Sequence, residues 1–97
     1  MSTSAEHVAE DRRLSLLLLL AESPAYEANE HLLRSALAGF GHLPSGDQVR
    51  GDLAWLAEQG LAEMWEMGGM VIAKATARGL DVAAGRAVQP GVKRPAP

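Results

Sequence analysis

Cysteine is absent from the 97 residues, which excludes disulfide cross-links and thiolate metal sites together. Aromatic residues are scarce, with one Phe, one Tyr and two Trp, so a core has to be assembled from Leu, Ala, Val and Met. Also missing is an apolar run long enough to span a bilayer, which takes about 20 residues. The run from Leu14 to Ala21 is too short, with Asp11, Arg12 and Arg13 before it and Glu22 after it. Nor does it read as an export signal. The first ten residues carry Glu6 and Glu10 without Lys or Arg, and Ser23-Pro24 follows the run. A buried helix in a cytoplasmic protein, with no membrane partner, is the expectation.

Catalytic signatures are lacking too. There is no nucleophile elbow, no phosphate-binding loop and no plausible pair of working carboxylates. His7, His31 and His42 are scattered. Only His7 with Glu10 and Asp11 clusters on one helical turn, and an exposed helix start accounts for that cluster better than a metal site. The expectation is a protein that is not an enzyme and takes no metal or cofactor.

What is present fits one small domain: 47% hydrophobic and 22% charged residues. Without cross-links or metal, a chain of this size gains from oligomerising. The net charge of −3 is unevenly spread. Residues 1–44 carry −3, residues 45–72 carry −4 with Arg50 as their one base, and residues 73–97 carry +4.

The apolar spacing predicts a first helix from about Ala5 to Glu22, with Leu14, Leu17, Leu18 and Ala21 on its main stripe. Leu16, Leu19 and Leu20 widen that stripe nearly all round. Ser23-Pro24 stops it, and residues 25–27 could be extended. Asn29 caps a second helix that buries Leu32, Leu33, Ala36 and Leu37, ends at Gly39 and tucks Phe40 beneath its end. Ser45 and Gln48 form a capping box for a third, with Val49, Leu53 and Leu56 inward and Gly60 as its close. Two short runs, residues 61–67 and 70–75, then flank Gly68-Gly69, the chemistry of a tight hairpin. That turn sets Glu63 against Lys74 and Trp65 against Ile72. Thr76 caps a fourth helix with Leu80, Ala83, Ala84 and Ala87 on its inner side. Residues 1–87 read as the domain, and residues 88–97 as an extended, proline-rich basic tail.

Three helices, a glycine-turned hairpin and a closing helix make a mainly α chain with a two-stranded wing, the winged helix-turn-helix plan. "DLAWLAEQGL" at Asp52 to Leu61 and "KATARGLDVA" at Lys74 to Ala83 are similar to stretches of many bacterial winged-helix regulators. More narrowly, "EDRRL" at Glu10 to Leu14, "DQVRGDLAWLAEQGL" at Asp47 to Leu61 and "GRAVQPGVKRPAP" at Gly85 to Pro97 resemble small winged-helix proteins of Mu-like phages and prophages, described as arsenic-repressor-like. The resemblance covers nearly the whole chain. It implies the fold, a phage origin and a DNA-binding, regulator-like role.

Duplex DNA is therefore the first partner to weigh. The third helix offers Gln48 and Arg50 to a groove, and otherwise shows Asp47, Gly51, Ala54 and Glu58 outward. Further positive charge has to come from Lys74, Arg78, Lys93 and Arg94. The plain alternative is a solvated basic surface, with Lys74 taken up by Glu63. The competing function is a phage accessory protein that binds protein instead. If Ala62, Met64, Ala73 and Ala75 face the core, then Trp65, Met67, Met70 and Ile72 line the outer face of the hairpin. Four large apolar groups there suit a homodimer or a phage protein partner. An inverted register would instead make those four the core.

Overall fold

Thr3 Oγ accepts from the N–H of Glu6 and opens α1, Ser4–Glu22, in the computed structural model, which describes residues 3–96. Leu14, Leu16, Leu17 and Leu20 of α1 are buried, while Leu18 and Leu19 are half-buried against the same core. This helix touches all three other helices and the sheet, which is why it can be apolar nearly all round. No helix among the described residues is long and apolar enough to cross a membrane.

After Ser23 the chain makes a short 3-10 turn, Pro24–Tyr26, and then β1, Glu27–Asn29. Ala25 and Tyr26 both take left-handed conformations, with φ of 56° and 61°. Non-glycine residues enter that region at a cost. The Asn29 side chain accepts from Leu32 N–H and starts α2, Glu30–Leu37. The buried stripe of α2 is Glu30, Leu33 and Leu37, and Leu32 is 63% exposed. The predicted burial of Leu32 and Ala36 is thus corrected: an eight-residue helix meets the core on one narrow side. Its end also lies further on. A 3-10 turn, Ala38–Phe40, continues it to Gly41 in the left-handed region, and Phe40 is exposed rather than tucked under.

The capping box of Ser45 and Gln48 is formed in both directions and opens α3, Gly46–Glu58. Val49, Leu53 and Leu56 are buried against the leucines of α1 and α2. A hairpin of β2, Ala62–Met67, and β3, Met70–Ala75, follows, turned by Gly68 and Gly69 with φ of 57° and 81°. Positive φ at both turn positions matches the right-handed twist of the strands and suits glycine. The register pairs Glu63 with Lys74 and Trp65 with Ile72, as the turn predicts.

The sheet has three strands, however, in the order β1-β3-β2, all antiparallel. The two-stranded expectation missed β1, whose three residues are too few to show a period. Thr76 caps α4, Ala77–Ala83, through Gly79 N–H. Because α4 stops at Ala83, Ala84 is exposed instead of facing inward, and Val82 is buried in its place. The result is a mainly helical chain with a small three-stranded sheet on one side.

Residues 88–96 do not hang free. Val92 is buried in the core, and Lys93 N–H donates to Glu10 C=O at 3.1 Å. Gly91 lies on the Trp55 ring, where a Cβ would come within 2.5 Å of it. The separate tail expected from composition is corrected to a strap closing over α1 and α3, held by the burial of Val92, the seat of Gly91 on Trp55 and the bond to Glu10.

Candidate functional site

The third helix carries one base, Arg50, and its surroundings define what that helix can do. Glu30, at the first position of α2, is buried despite its charge. Its carboxylate accepts from Arg50 Nε at 2.6 Å, from Arg50 Nη2 at 2.8 Å and from the backbone N–H of Val71 at 2.6 Å. Arg50 Nη2 also donates to Gly69 C=O at 2.9 Å. One guanidinium thus ties α2, α3 and the hairpin turn together. The forked bond from Arg50 and the amide of Val71 hold the Glu30 carboxyl down at about 2, against the desolvation that opposes them. Glu66 and Asp47 add negative charge near Arg50.

Both candidates for reading a groove are therefore occupied locally. Gln48 closes the capping box, and Arg50 is engaged on two of its three nitrogens. Besides Gln48 and the partly open Arg50, α3 leaves Asp47, Gly51 and Glu58 exposed. A face of acids and small residues has little to offer phosphates.

The other predicted bases are dispersed. Lys74 sits between Glu27 and Glu63 across the strands, without a direct ion pair to either. Arg78 donates to Val88 C=O and Gln89 Oε1 at 3.4 and 3.3 Å. Lys93 Nζ lies 3.2 Å from Asp11 Oδ1, and Arg94 is exposed. Arg78 and Lys93 are thus engaged locally, whereas Lys74 and Arg94 are exposed.

A second charged cluster escaped the sequence. Asp52, buried on α3, is bound by Arg12, and Arg13 Nε lies 3.8 Å from it. Arg13 also stacks 4.2 Å from the Trp55 ring centre and donates to Gly91 C=O at 2.9 Å. On the neighbouring turn His42 Nε2 meets Asp11 Oδ2 at 2.6 Å. Partial burial pushes the Asp11 carboxyl up, but His42 and Lys93 outweigh it and hold it below its usual value. These contacts anchor the strap and the loop before α3. They join residues from 31 to 82 positions apart, which no local pattern reveals.

The predicted apolar face of the hairpin is where the register places it. Ala62, Val71, Ala73 and Ala75 are buried in the core, with Met64 packed against them. Trp65, Met67, Met70 and Ile72 occupy the opposite face. They are not equally open. Met67 is 63% exposed, Trp65 and Met70 are half-buried, and Ile72 is covered because it lies on the central strand, between Trp65 and Asn29.

An open groove of about 470 Å³ is lined by His31, Arg34, Ser35, Ala38, Leu43 and Pro44 and contains no carboxylate. No group of three or more His, Asp or Glu side chains among the described residues could hold a metal ion.

The chain is 47% identical over 90 residues to the uncharacterized protein gp26 of Escherichia phage Mu, covering 93% of each. It is 40% identical over 76 residues to an uncharacterized protein of Haemophilus influenzae, covering 77% of this chain and 74% of that relative. No family model and no solved structure matches.

Proposed function

The chain belongs to the same family as gp26 of phage Mu, and from that premise we propose a non-catalytic phage protein, built on the winged helix-turn-helix plan, that holds a protein partner against its wing. One observation carries this reading. The base that α3 would bring to DNA is committed to the buried Glu30 and to the wing carbonyl of Gly69, leaving Asp47, Gln48, Gly51 and Glu58 outward with no other base among them. The outer wing face, with Trp65, Met67 and Met70 accessible, is the surface with affinity to offer, because buried apolar area supplies most of it.

A second reading is the DNA-binding regulator that the winged-helix resemblance implies. It is favoured by the third nitrogen of Arg50, which has no partner among the described residues, on a side chain 44% exposed. Lys74 and Arg94 could add phosphate contacts in that reading. Fluorescence anisotropy with a random labelled duplex separates the two. The protein-partner reading expects no salt-dependent binding at roughly tens of micromolar chain, where non-specific DNA binders register. Binding that weakens with salt and is lost in Lys74→Glu or Arg94→Glu would overturn it in favour of DNA.

A further inference from the structure

The strand order β1-β3-β2 leaves β2 with a neighbour on one side only. Met67 and Met70 close a two-residue turn, so this pair exchanges both ladder hydrogen bonds, and so do Trp65 with Ile72 and Glu63 with Lys74. The N–H and C=O groups of Met64 and Glu66 consequently point away from β3, off the free edge. No loop or cap hydrogen bond among the described residues reaches them. Of the usual protections of an edge only charge is present, in Glu63 and Glu66. Residues 62–67 contain no proline and no lysine, and the register runs one-to-one without a bulge.

We propose that this β2 edge pairs antiparallel with the β2 edge of a second copy of the chain, joining two three-stranded sheets into one of six strands. The proposal rests on the reading of the wing as a protein-binding surface and names the partner. The charge pattern selects it. A two-fold axis normal to the sheet keeps outer face beside outer face, so only registers that pair residues of the same side are possible. Placing Glu63 opposite Glu63, or Glu66 opposite Glu66, sets like charges together and pairs only three strand residues of each copy. Neither fault attaches to Met64 opposite Met64, which sets Glu63 against Trp65, nor to Trp65 opposite Trp65, which joins the apolar groups of the outer face and is the register proposed. It pairs residues 63–67 of both copies, matches Met64 with Glu66 in both directions through four backbone hydrogen bonds, and sets Glu63 beside Met67. Trp65 already lies opposite Ile72, so an apolar row Ile72–Trp65–Trp65–Ile72 then crosses the seam. A foreign strand could use the same edge, but it would not inherit this match.

Light scattering after size exclusion tests the pairing on the full chain, with Glu66→Ala, Glu66→Pro and Trp65→Cys beside the parent. Glu66 is exposed and its N–H points off the edge, so proline there removes an intermolecular donor while sparing the hairpin ladder. Parent and Glu66→Ala are expected at twice the 10.3 kDa chain mass, and Glu66→Pro at the single mass with an unchanged circular dichroism spectrum. Opposite residues of a non-hydrogen-bonded pair lie about 4.5 Å apart at Cα, within disulfide reach. Trp65→Cys, the one thiol in the chain, should therefore cross-link in oxidised glutathione, whereas Lys74→Cys should not. If Glu66→Pro unfolds, this cross-link decides alone. A monomeric parent up to about 100 micromolar, where only pairs weaker than that would escape, overturns the proposal. So does a dimer that survives Glu66→Pro, or an absent Trp65→Cys cross-link. A monomer that binds no DNA removes the second copy but not the protein-partner reading; salt-dependent DNA binding removes the reading itself.

Discussion

Replacing Arg50 with Ala withdraws two N–H donors from a carboxylate whose side chain is 6% exposed, leaving Glu30 with the Val71 amide alone. Removing one partner of a buried ion pair costs about 3–5 kcal/mol, because the other charge stays in a poorly solvating site. The Arg50 side chain is 44% exposed, so water can enter where the guanidinium stood. The expected loss is therefore nearer about 2–3 kcal/mol. In a domain of this length that lowers the melting temperature by roughly 10–20 °C. Arg50→Lys should recover little of it, since a single ammonium cannot make the forked contact and reach Gly69 as well. The pH dependence has a fixed sign. The Glu30 carboxyl is depressed from 4.5 to about 2 in the fold, so its contribution is complete above pH 4.5 and drains away as pH falls toward about 2. Urea titrations at pH 7, 4 and 3 should show parent and Arg50→Ala converging as the pH drops. Combining Arg50→Ala with Glu30→Gln should cost less than the sum of the single changes. An Arg50→Ala chain within about 0.5 kcal/mol of the parent at pH 7, the usual spread for surface changes, would refute the structural role given to this pair.

Leu53→Ala, at a fully buried position on α3, should cost about 2–5 kcal/mol in chemical denaturation; a neutral result would mean that α3 is not packed on α1 and α2. Deleting residues 88–97 should uncover Trp55, seen as a red-shifted and more quenchable emission once Trp65 has been replaced by Phe, together with a lower melting temperature. An unchanged emission would place the strap elsewhere. Ala25→Gly should leave stability unchanged or raise it by up to about 1 kcal/mol, as glycine relieves the left-handed backbone there; a clear loss would show that the Ala25 methyl makes a contact worth more than the strain.

Local chemistry was legible in the sequence, and long-range chemistry was not. Capping residues Asn29, Ser45 and Thr76 and the glycine pair at 68–69 act within three or four residues, so they marked element starts and the hairpin register directly. Which face of the hairpin meets the core stayed open, because alternation along the strands fixes only which residues share a face. The partners of Arg50 could not be read this way, because Glu30 and Val71 come from other elements and Glu30 also looks like an ordinary helix-start acid. The same holds for Asp52 with Arg12, and for Val92, one apolar residue in a proline-rich stretch whose composition suggested a loose tail. A wheel projection of α3 named its outward residues but could not tell that Arg50, among them, bends back onto the fold.

In the proposed function α3 braces the fold and the hairpin carries the binding surface. Backbone amide shifts of the isotopically labelled chain, followed by NMR during titration with a duplex at low salt, test it residue by residue. Amides across Asp47–Glu58 are expected to stay unmoved. Progressive, salt-sensitive shifts concentrated on Asp47–Glu58 and the Gly68-Gly69 turn would contradict it.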